Sequence, residues 1–369
     1  MTEIRSIVKQ VLSQLGASRE ARYYLTQYAE DELNFAVIKI GGALIEHQLE
    51  PLADALAFLH NLGLMPIVLH GAGPQLDAAV LSADVPTVKH EGLRVTTPEV
   101  MEVARPVVYR TNRQLVTALE KEGVRAEGIQ HGVFECDYLD QATLGLVGDI
   151  RRVDLEAIRD AVAAGQMPVV ACLGESKTGQ VLNINADFAA RELIWTLNPH
   201  KIIFLTETGG LLDEAGRVIS AISLRTDYEW LIQQPWVHSG MKLKLEQIEQ
   251  ILSKLPDTAS VSITSVDSLA RELFTHRGAG TLIRRGERIL EFNQFDDSSR
   301  ERARQLLETS FSRRLKPDYF DRLPIECVLA SESFGAMAIV LKGVDLSLIH
   351  ISEPTRPTRA SRMPSYALK

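Results

Sequence analysis

The chain has 369 residues, of which 45% are hydrophobic and 24% charged, a balance typical of a folded protein with one large domain and a smaller part. Its formal net charge of −8 argues against nucleic-acid and anionic-membrane binding, because such surfaces concentrate Lys and Arg. Any phosphate that the protein binds should therefore be small and held in a pocket.

The scattered cysteines and the lack of a long apolar run limit the kinds of protein that this chain can be. Cys136, Cys172 and Cys327 are too scattered for a disulfide framework or a zinc site. Reduced, buried thiols favour a cytoplasmic protein. No window approaches the ~18 consecutive apolar residues of a membrane span. The N-terminus shows neither a signal-peptide core nor the pattern of an organellar presequence.

Residues 1–30 repeat apolar residues at helical spacing, with a break at Gly16-Ala17-Ser18. This pattern predicts an N-terminal helical segment, which we interpret as a packing or oligomerisation element.

Two strand–glycine turn–helix units follow. Phe35–Ile40 alternates as a strand and stops at Gly41-Gly42, before helical spacing from Leu52 to Leu62. Met65–Leu69 predicts a second strand, which ends at His70-Gly71-Ala72-Gly73-Pro74 and leads into another helix. This order predicts a parallel α/β sheet, whose ligands bind beyond the carboxyl ends of the strands. Glycine turns at that edge let backbone N–H groups close on a phosphate.

Lys39 lies inside the first predicted strand, between Ile38 and Ile40. A lysine there is costly unless its ammonium group meets an anion, and the alternative is an edge-strand lysine that points to water. The phosphate-loop pattern GxxxxGK[ST] is absent, so a P-loop NTPase is not supported. A GxGxxG turn followed by an acidic residue, the signature of a dinucleotide site, is absent as well.

Residues 84–97 read as a turn-rich connection in which EGLRVT places Arg94 after a glycine. A guanidinium group can hold a carboxylate with two parallel hydrogen bonds, and the alternative is a solvated arginine. Residues 98–122 then predict a helix, 124–150 short strands and turns, 155–164 a helix, and 168–173 a buried strand.

The stretch NINAD, Asn183 to Asp187, opens a predicted helix over Asp187–Leu197. Asn183 and Asn185 alternate along the chain and so face one way. Asp187 falls near the helix start, where capping of the helix is the alternative to a role in a site. After a strand at Ile202–Leu205, the run TETGGLLD forms a third polar turn, with Thr206, Gly209, Gly210 and Asp213.

A hairpin-like segment after Asp213 leads to a helix from Lys242 that carries Lys244. By itself Lys244 could be a solvated helical lysine. With Lys39 and Asp187 it makes two cations and one anion on separate segments, which suggests a site for phosphate. A strand at 261–264, a helix at 269–274 and the run GAGTLI at 278–283 complete the predicted sheet.

A second segment begins at residue 287, with a charged helix at Ser299–Phe311 and strands at Cys327–Ala330 and Ala336–Leu341. From residue 346 to 369 the chain is rich in Pro and Arg and shows no periodicity, which predicts an unfolded tail. This tail resembles translated vector sequence, and we expect it to take no part in the fold.

Seven motifs stand in one order: KIGG, HGAGP, EGLRVT, NINAD, TETGGLLD, GMKLK and GAGTLI. Together they resemble the amino acid kinase family over residues 1–285, and within it the N-acetylglutamate kinases. The runs SREARYYL and ELFTHRGAGTLIRRGERI, passing into LKPDYF, resemble the bifunctional N-acetylglutamate synthase/kinases, whose second domain is a GNAT acetyltransferase. The chain departs from that pattern because it lacks the Q/RxxGxG/A coenzyme A loop.

The resemblance implies an α/β fold: a three-layer αβα sandwich with a mainly parallel central sheet, followed by an incomplete α+β GNAT-like segment. The expected divisions are an N-terminal helical segment at 1–30, the kinase domain at 31–286, the truncated GNAT-like segment at 287–345 and the tail at 346–369.

The resemblance also implies roles for the charged residues. Lys39 matches the lysine that neutralises the transferring phosphoryl group, and Lys244 matches the lysine at ATP on the nucleotide side. Asp187 matches the aspartate that holds both lysines in place. Arg94 matches the clamp on the substrate α-carboxylate.

The remaining implied site positions contact the acyl substrate or the phosphates. Substrate contacts are implied for Asn183, Asn185, Gly71, Ala72 and Gly73, and nucleotide or phosphate contacts for Gly41, Gly42, Thr206, Gly209, Gly210 and Asp213. Gly41, Gly42, Gly71 and Gly73 would supply N–H groups. Ala72, where many relatives carry glycine, should fit if its φ is negative.

The implied activity is phosphorylation of N-acetyl-L-glutamate by ATP with Mg²⁺, in arginine biosynthesis, with no metal ligand from the protein. The family also implies a homo-oligomer, dimer or tetramer, and inhibition by L-arginine near Glu272, Gly278 and the N-terminal helices. One alternative is an arginine-sensing regulatory domain of an N-acetylglutamate synthase. Another is the full bifunctional enzyme, which the missing coenzyme A loop disfavours.

Overall fold

A computed structural model describes residues 35–237, 239–256, 259–274, 279–286, 289–311, 313–331, 336–342 and 351–352. The predicted helical segment at 1–30 lies outside these residues. The chain divides into two compact units, Met1–Arg285 and Gly286–Lys369. In the described part of the chain, no helix combines the length and the apolar character needed to cross a membrane.

The first unit alternates strands and helices along most of its length. Its strands are β1 (Ala36–Ile40), β2 (Ile67–His70), β3 (Lys89–His90), β4 (Leu93–Arg94), β5 (Ala126–Ile129), β6 (Phe134–Tyr138), β7 (Gly148–Val153), β8 (Met167–Ala171), β9 (Leu173–Glu175), β10 (Val181–Asn183), β11 (Lys201–Leu205), β12 (Ala221–Ser223), β13 (Ser260–Thr264) and β14 (Thr281–Arg284). Its helices are α1 (Gly42–His47), α2 (Leu49–Asn61), α3 (Gly73–Ser82), α4 (Pro98–Lys121), α5 (Gln141–Leu144), α6 (Glu156–Ala163), α7 (Ala186–Leu197), α8 (Leu224–Leu231), α9 (Ser239–Lys254) and α10 (Leu269–Phe274), with a 3-10 turn at Val266–Ser268.

An eight-stranded sheet forms the middle layer, in the order β12-β14-β13-β11-β1-β2-β8-β5. Its neighbouring strands run parallel except β13 and β14, which run antiparallel. Within β1, Lys39 pairs with Phe204 of β11 on one side and with Leu69 of β2 on the other. The edge-strand interpretation of Lys39 is therefore wrong, because β1 is a central strand.

The side chains of β1 alternate between two hydrophobic cores. Val37 packs in one core with residues of α7 and α9, such as Leu193 and Leu245. Ile38 and Ile40 pack in the other core, which α2, α4 and α10 cover. Helices therefore lie on both faces, and the predicted αβα sandwich is confirmed. Because the strand period is two residues, Lys39 shares the face of Val37 and points toward the layer of α7 and α9.

Two smaller sheets also lie in the described part of this unit. One has four strands in the order β10-β9-β6-β7, and the other is the β3–β4 hairpin. The hairpin turns at Glu91, with a φ of +50°, and Gly92, with a φ of +82°. Both values lie in the left-handed region that favours glycine.

Several elements differ from the sequence-based expectation. Helix α1 starts directly after Gly41, and its six residues are too few to show a helical period. The expected hairpin-like segment is present, with an antiparallel bridge between Leu212 and Val218, but β12 and α8 follow it and were not expected. The strand predicted at 168–173 is two strands, β8 and β9, which meet at Cys172 and belong to different sheets. A continuous apolar run does not reveal where a chain changes sheets.

The second unit pairs its strands antiparallel in the order β15-β16-β17-β18. Its elements are β15 (Ile289–Phe292), α11 (Asp297–Phe311), a 3-10 turn at Phe320–Arg322, β16 (Ile325–Ser331), β17 (Ala336–Leu341) and β18 (Ile351–Ser352). It has its own core, which includes Leu307, Tyr319 and Ile339. Within the predicted tail the structure describes only β18, where Ile351 pairs with Met337, and the division of the chain at residue 346 stays a prediction.

Candidate active site

Asp187 lies between the two predicted lysines. Its Oδ1 is 2.6 Å from Lys39 Nζ and 3.6 Å from Lys244 Nζ. Both ammonium groups also lie over the ring of Phe204, at 5.7 Å and 5.6 Å from its centroid. The structure thus brings together three charges from β1, α7 and α9, and the interpretation of Lys244 as a solvated surface lysine is wrong.

Asn185, rather than Asp187, caps helix α7. Its Oδ1 accepts hydrogen bonds from the backbone N–H of Asp187 at 2.8 Å and of Phe188 at 3.3 Å. The capping interpretation of Asp187 is therefore wrong, and its carboxylate in the first helical turn is directed to the lysines. An asparagine two residues upstream satisfies the same helix-end donors without adding a charge.

The three charges shift one another's protonation. Burial would raise the pKa of Asp187, but the ammonium groups of Lys39 and Lys244 outweigh it and hold that pKa at about 2. The positive charge of Lys39, together with burial, lowers the pKa of Lys244 to about 8, although Asp187 acts in the opposite direction. Near neutral pH the group therefore carries one net positive charge, which suits a phosphate oxygen.

The first two glycine turns pack directly against each other. A Cβ on Gly42 would approach the Cα of Ala72 and the N of Gly73 to 3.1 Å. Gln75 bridges the turns, because its Nε2 donates to the carbonyl of Gly42 at 2.7 Å. Ala72 has a φ of −138°, so its side chain causes no backbone strain, as expected.

The expectation that Gly71 supplies a free N–H is wrong. That N–H donates to the carbonyl of Ile40 at 3.0 Å and so continues the pairing of β1 and β2. Glycine is favoured there for space, because a Cβ would lie 3.3 Å from the Cβ of Ala186.

A cavity of about 230 Å³ lies beside Asp187. Seven of the predicted site residues line it: Gly71, Ala72, Gly73, Arg94, Asn183, Asn185 and Asp187. Four polar or reactive residues of the site were not predicted from the sequence, namely His70, Asp77, Lys89 and Cys172. Of these, His70, Lys89 and Cys172 line the cavity directly.

Arg94 is buried, with 7% of its side chain exposed, so the interpretation as a solvated arginine is wrong. Its guanidinium group forms a short ion pair with Asp77 Oδ1 and donates to Thr87 Oγ1 at 3.0 Å. Lys89 Nζ lies 3.3 Å from the second oxygen of Asp77. The only signal in the sequence was the placement of Asp77 one turn into the helix after HGAGP.

Two side chains shape the cavity through neutral hydrogen bonds. Asn183 Nδ2 donates to Thr96 Oγ1 at 3.1 Å. Burial lowers the pKa of His70 to about 4, so its ring is neutral at ordinary pH. Asn112 Nδ2 lies 3.1 Å from His70 Nε2, and His70 Nδ1 lies 3.3 Å from the carbonyl of Gly71. With Nε2 as acceptor, the histidine carries its proton on Nδ1 and supports the second glycine turn.

The third predicted turn does not line this cavity. Gly209 has a φ of +69°, and a Cβ on Gly210 would lie 2.6 Å from Val218 Cγ1. Asp213 pairs with Arg217 at 2.9 Å, and Thr206 N donates to the Thr264 carbonyl at 3.0 Å. These contacts explain the local conformation, and the nucleotide role of the four residues stays a prediction.

Glu272, the predicted arginine-effector residue, is buried. Its carboxylate accepts from Ser262 Oγ at 2.6 Å and from Ala279 N at 2.7 Å. Gly278 lies outside the described residues. The effector role of both residues stays a prediction.

Comparison with known proteins adds independent findings. Residues 34–261 match the model of the amino acid kinase family. The chain is 49% identical to an acetylglutamate kinase from Xylella fastidiosa (strain 9a5c) over 329 residues, which cover 89% of this chain and 78% of that protein. An acetylglutamate kinase from Xanthomonas campestris is 47% identical, over 88% of this chain and 77% of the relative.

Among solved structures, the chain resembles N-acetylglutamate synthase from Neisseria gonorrhoeae in complex with coenzyme A and N-acetyl-glutamate. The TM-score is 0.69 at 21% identity, with coverage of 92% of this chain and 82% of that one. At this identity the likeness shows the fold.

Proposed function

The chain belongs to the amino acid kinase family, and from this premise we propose that it transfers the γ-phosphate of ATP to the side-chain carboxylate of N-acetyl-L-glutamate, a step of arginine biosynthesis. The observation that carries the proposal is Asp187, which lies between Lys39 and Lys244 and lines a cavity that also contains Arg94. The high identity to acetylglutamate kinases supports the choice of substrate.

Phosphoryl transfer requires position and charge neutralisation rather than a covalent intermediate. We assign Lys39 to the transferring phosphoryl group and Lys244 to the nucleotide side. Asp187 is ionised, since its pKa is about 2, and so it orients the two ammonium groups instead of acting as a base. The substrate carboxylate needs no deprotonation, because it is already an anion at neutral pH.

The acyl substrate is held, in this proposal, at the side of the cavity formed by Arg94, Asn183 and Asn185. Arg94 would pair with the α-carboxylate in the bidentate manner that guanidinium groups favour. The other contacts are assigned as the family resemblance implies. Gly71, Ala72 and Gly73 contact the substrate, and Gly41, Gly42, Thr206, Gly209, Gly210 and Asp213 lie on the phosphate and nucleotide side.

ATP would bring its own Mg²⁺, coordinated by phosphate oxygens and water. The residues of the cavity fit this arrangement, because Asp187 is directed to two ammonium groups and Asp77 to Arg94 and Lys89. Among the described residues, no group of three or more His, Cys, Asp or Glu could hold a metal ion.

Three finer points belong to the same proposal. L-Arginine inhibits the enzyme, the chain assembles as a homo-oligomer, and the protein is cytoplasmic. The last point is supported by the free thiols of Cys136, Cys172 and Cys327. If calorimetry with L-arginine gave no binding heat, inhibition by L-arginine would be ruled out.

The proposal is tested with a coupled ATPase assay in the presence of N-acetyl-L-glutamate. Lys39→Ala, Lys244→Ala and Asp187→Ala should each lower kcat by about 100-fold or more, because each removes charge stabilisation that is needed in the transition state. Lys177→Ala, at an exposed turn, is the matched control and should behave as the wild type.

Circular dichroism should show the same folded content in all four variants. Wild-type turnover in the three site variants would contradict the assigned roles. Binding of arginine without any phosphorylation of N-acetyl-L-glutamate would favour the regulatory alternative instead, and equal turnover with aspartate or glutamate would contradict the substrate.

A further inference from the structure

Arg94 and Lys89 lie directly opposite each other in the β3–β4 hairpin. They are cross-strand partners in its antiparallel register, so both side chains lie on the same face of the hairpin. Two like charges at opposed positions repel each other unless an anion lies between them. The hairpin therefore presents a pair of cations that requires a counterion.

Asp77 of helix α3 supplies one such counterion. One of its carboxylate oxygens pairs with Arg94, and the other lies 3.3 Å from Lys89 Nζ. The ion pair with the buried guanidinium group lowers the pKa of Asp77 against the opposing effect of burial, so Asp77 is ionised at neutral pH. A single aspartate thus joins the hairpin to the helix that begins at the second glycine turn.

The resulting cluster repeats the charge pattern found around Asp187. In each case one aspartate bridges two cations from other elements, which leaves one net positive charge. Asp187, Arg94 and Lys89 all line the same cavity. The two lysines that pair with Asp187 are not among the described residues that line the cavity, so the excess positive charge that faces it directly is that of Arg94 and Lys89. An anionic group of a bound molecule at that end of the cavity would balance this charge.

The side chain of Lys89 is exposed enough to leave Asp77 and contact a ligand. Its side chain is 55% exposed and that of Asp77 49%, whereas Arg94 is held in place by Asp77 and Thr87. A flexible ammonium group can turn from Asp77 toward an arriving carboxylate without breaking a buried contact. Arg94 supplies fixed geometry, and Lys89 supplies additional charge.

We propose that Asp77 is a positioning residue for Arg94, and that Lys89 is a second cation for the α-carboxylate of the acylated amino-acid substrate. This inference rests on the proposed function. The inference adds a determinant of substrate specificity to that function. The site should favour an acyl amino acid with a free α-carboxylate over one whose α-carboxylate is neutralised.

The test compares N-acetyl-L-glutamate with its α-carboxamide, which keeps the shape and the reacting side-chain carboxylate but removes the α-charge. The ratio of kcat/KM for acid over amide is measured in the wild type and in Lys89→Met. We expect the ratio to fall about tenfold in Lys89→Met, because a charge-assisted contact made only by the acid is lost. An equal loss on both substrates would overturn the assignment of Lys89.

Asp77→Asn tests the positioning role. The KM for N-acetyl-L-glutamate should rise about tenfold while the KM for ATP stays within about twofold, because Arg94 and Lys89 then repel each other without a bridging anion. A lower KM for N-acetyl-L-glutamate would overturn the role, since it would show that Asp77 competes with the substrate. A parallel rise in both KM values would also overturn the positioning role, because it would indicate a general loss of structure.

Asp137→Asn serves as the matched control. It removes an exposed carboxylate that pairs with Arg151 at 2.9 Å in another sheet, and neither of these residues lines the cavity. Phosphorylation of N-acetyl-L-glutamate by the wild type tests the proposed function separately. Wild-type activity combined with an unchanged acid-over-amide ratio in Lys89→Met would leave that function standing and remove the inference.

Discussion

Lys244 lies 3.6 Å from Asp187, in a cluster where two ammonium groups share one carboxylate. This sharing explains why its pKa falls to about 8, because Lys39 takes the shorter contact and adds repulsion. Lys244 therefore loses its charge closer to neutral pH than an ordinary lysine does.

The lowered pKa of Lys244 predicts a pH dependence. The kcat/KM for ATP should fall as pH rises through about 8, because the deprotonated amine no longer attracts phosphate, and this profile reports groups of the free enzyme. Lys244→Arg should lower the maximum but move the fall to higher pH, since a guanidinium group stays charged. The same alkaline limb in both proteins would contradict the assignment to Lys244.

At the scale of elements, the site depends on how α7 packs against α9. Arg191 of α7 donates to Gln247 Oε1 at 2.9 Å and to Gln250 Oε1 at 2.6 Å, both on α9. Trp195 Nε1 also donates to the carbonyl of Ile251 at 3.1 Å. Arg191 follows Asp187 by one helical turn, and Gln247 follows Lys244 by about one turn. This contact therefore helps to set the distance between Asp187 and Lys244.

Loss of the Arg191 contact should affect catalysis more than substrate binding. In Arg191→Met, kcat should fall about 3- to 10-fold with little change in the KM for N-acetyl-L-glutamate, because Lys244 is less well placed in the transition state. Arg159→Met, at an exposed position of α6, is the control. A lower Tm with unchanged kcat would show that Arg191 stabilises the fold without positioning Lys244.

At the scale of the whole molecule, the chain has two units: the first has a hydrophobic core on each face of its large sheet, and the second has a separate core. The residues assigned to catalysis and substrate binding all lie in the first unit. Units with separate cores can in principle fold separately.

Residues 1–286 alone should therefore retain phosphorylation of N-acetyl-L-glutamate, with kcat within about threefold of the full chain. The comparison requires both proteins at equal concentration, with their oligomeric states measured by light scattering. An inactive but folded 1–286 chain would show that the second unit contributes to the kinase reaction. The domain boundary at 286/287 is tested by the same experiment.

The sequence by itself was sufficient for the local features. The alternation in β1, the glycine turns after Lys39 and His70, and the stretch Asn183 to Asp187 each have a short-range pattern, and such patterns follow from the backbone geometry of strands, turns and helix starts. Together they predicted the parallel sheet, the edge of the sheet at which ligands are expected, and the motifs that resemble the amino acid kinase family. Short elements such as α1 and β12 were missed, because a few residues cannot establish a period.

Only the tertiary structure decided which side chains meet. It directed Asp187 to Lys39 and Lys244, made Asn185 the helix cap, committed the Gly71 N–H to the sheet and paired Arg94 with Asp77. Each of these contacts joins groups whose local sequence allows more than one partner. The choice among partners depends on which elements pack together and on the cost of burying a charge without a counterion.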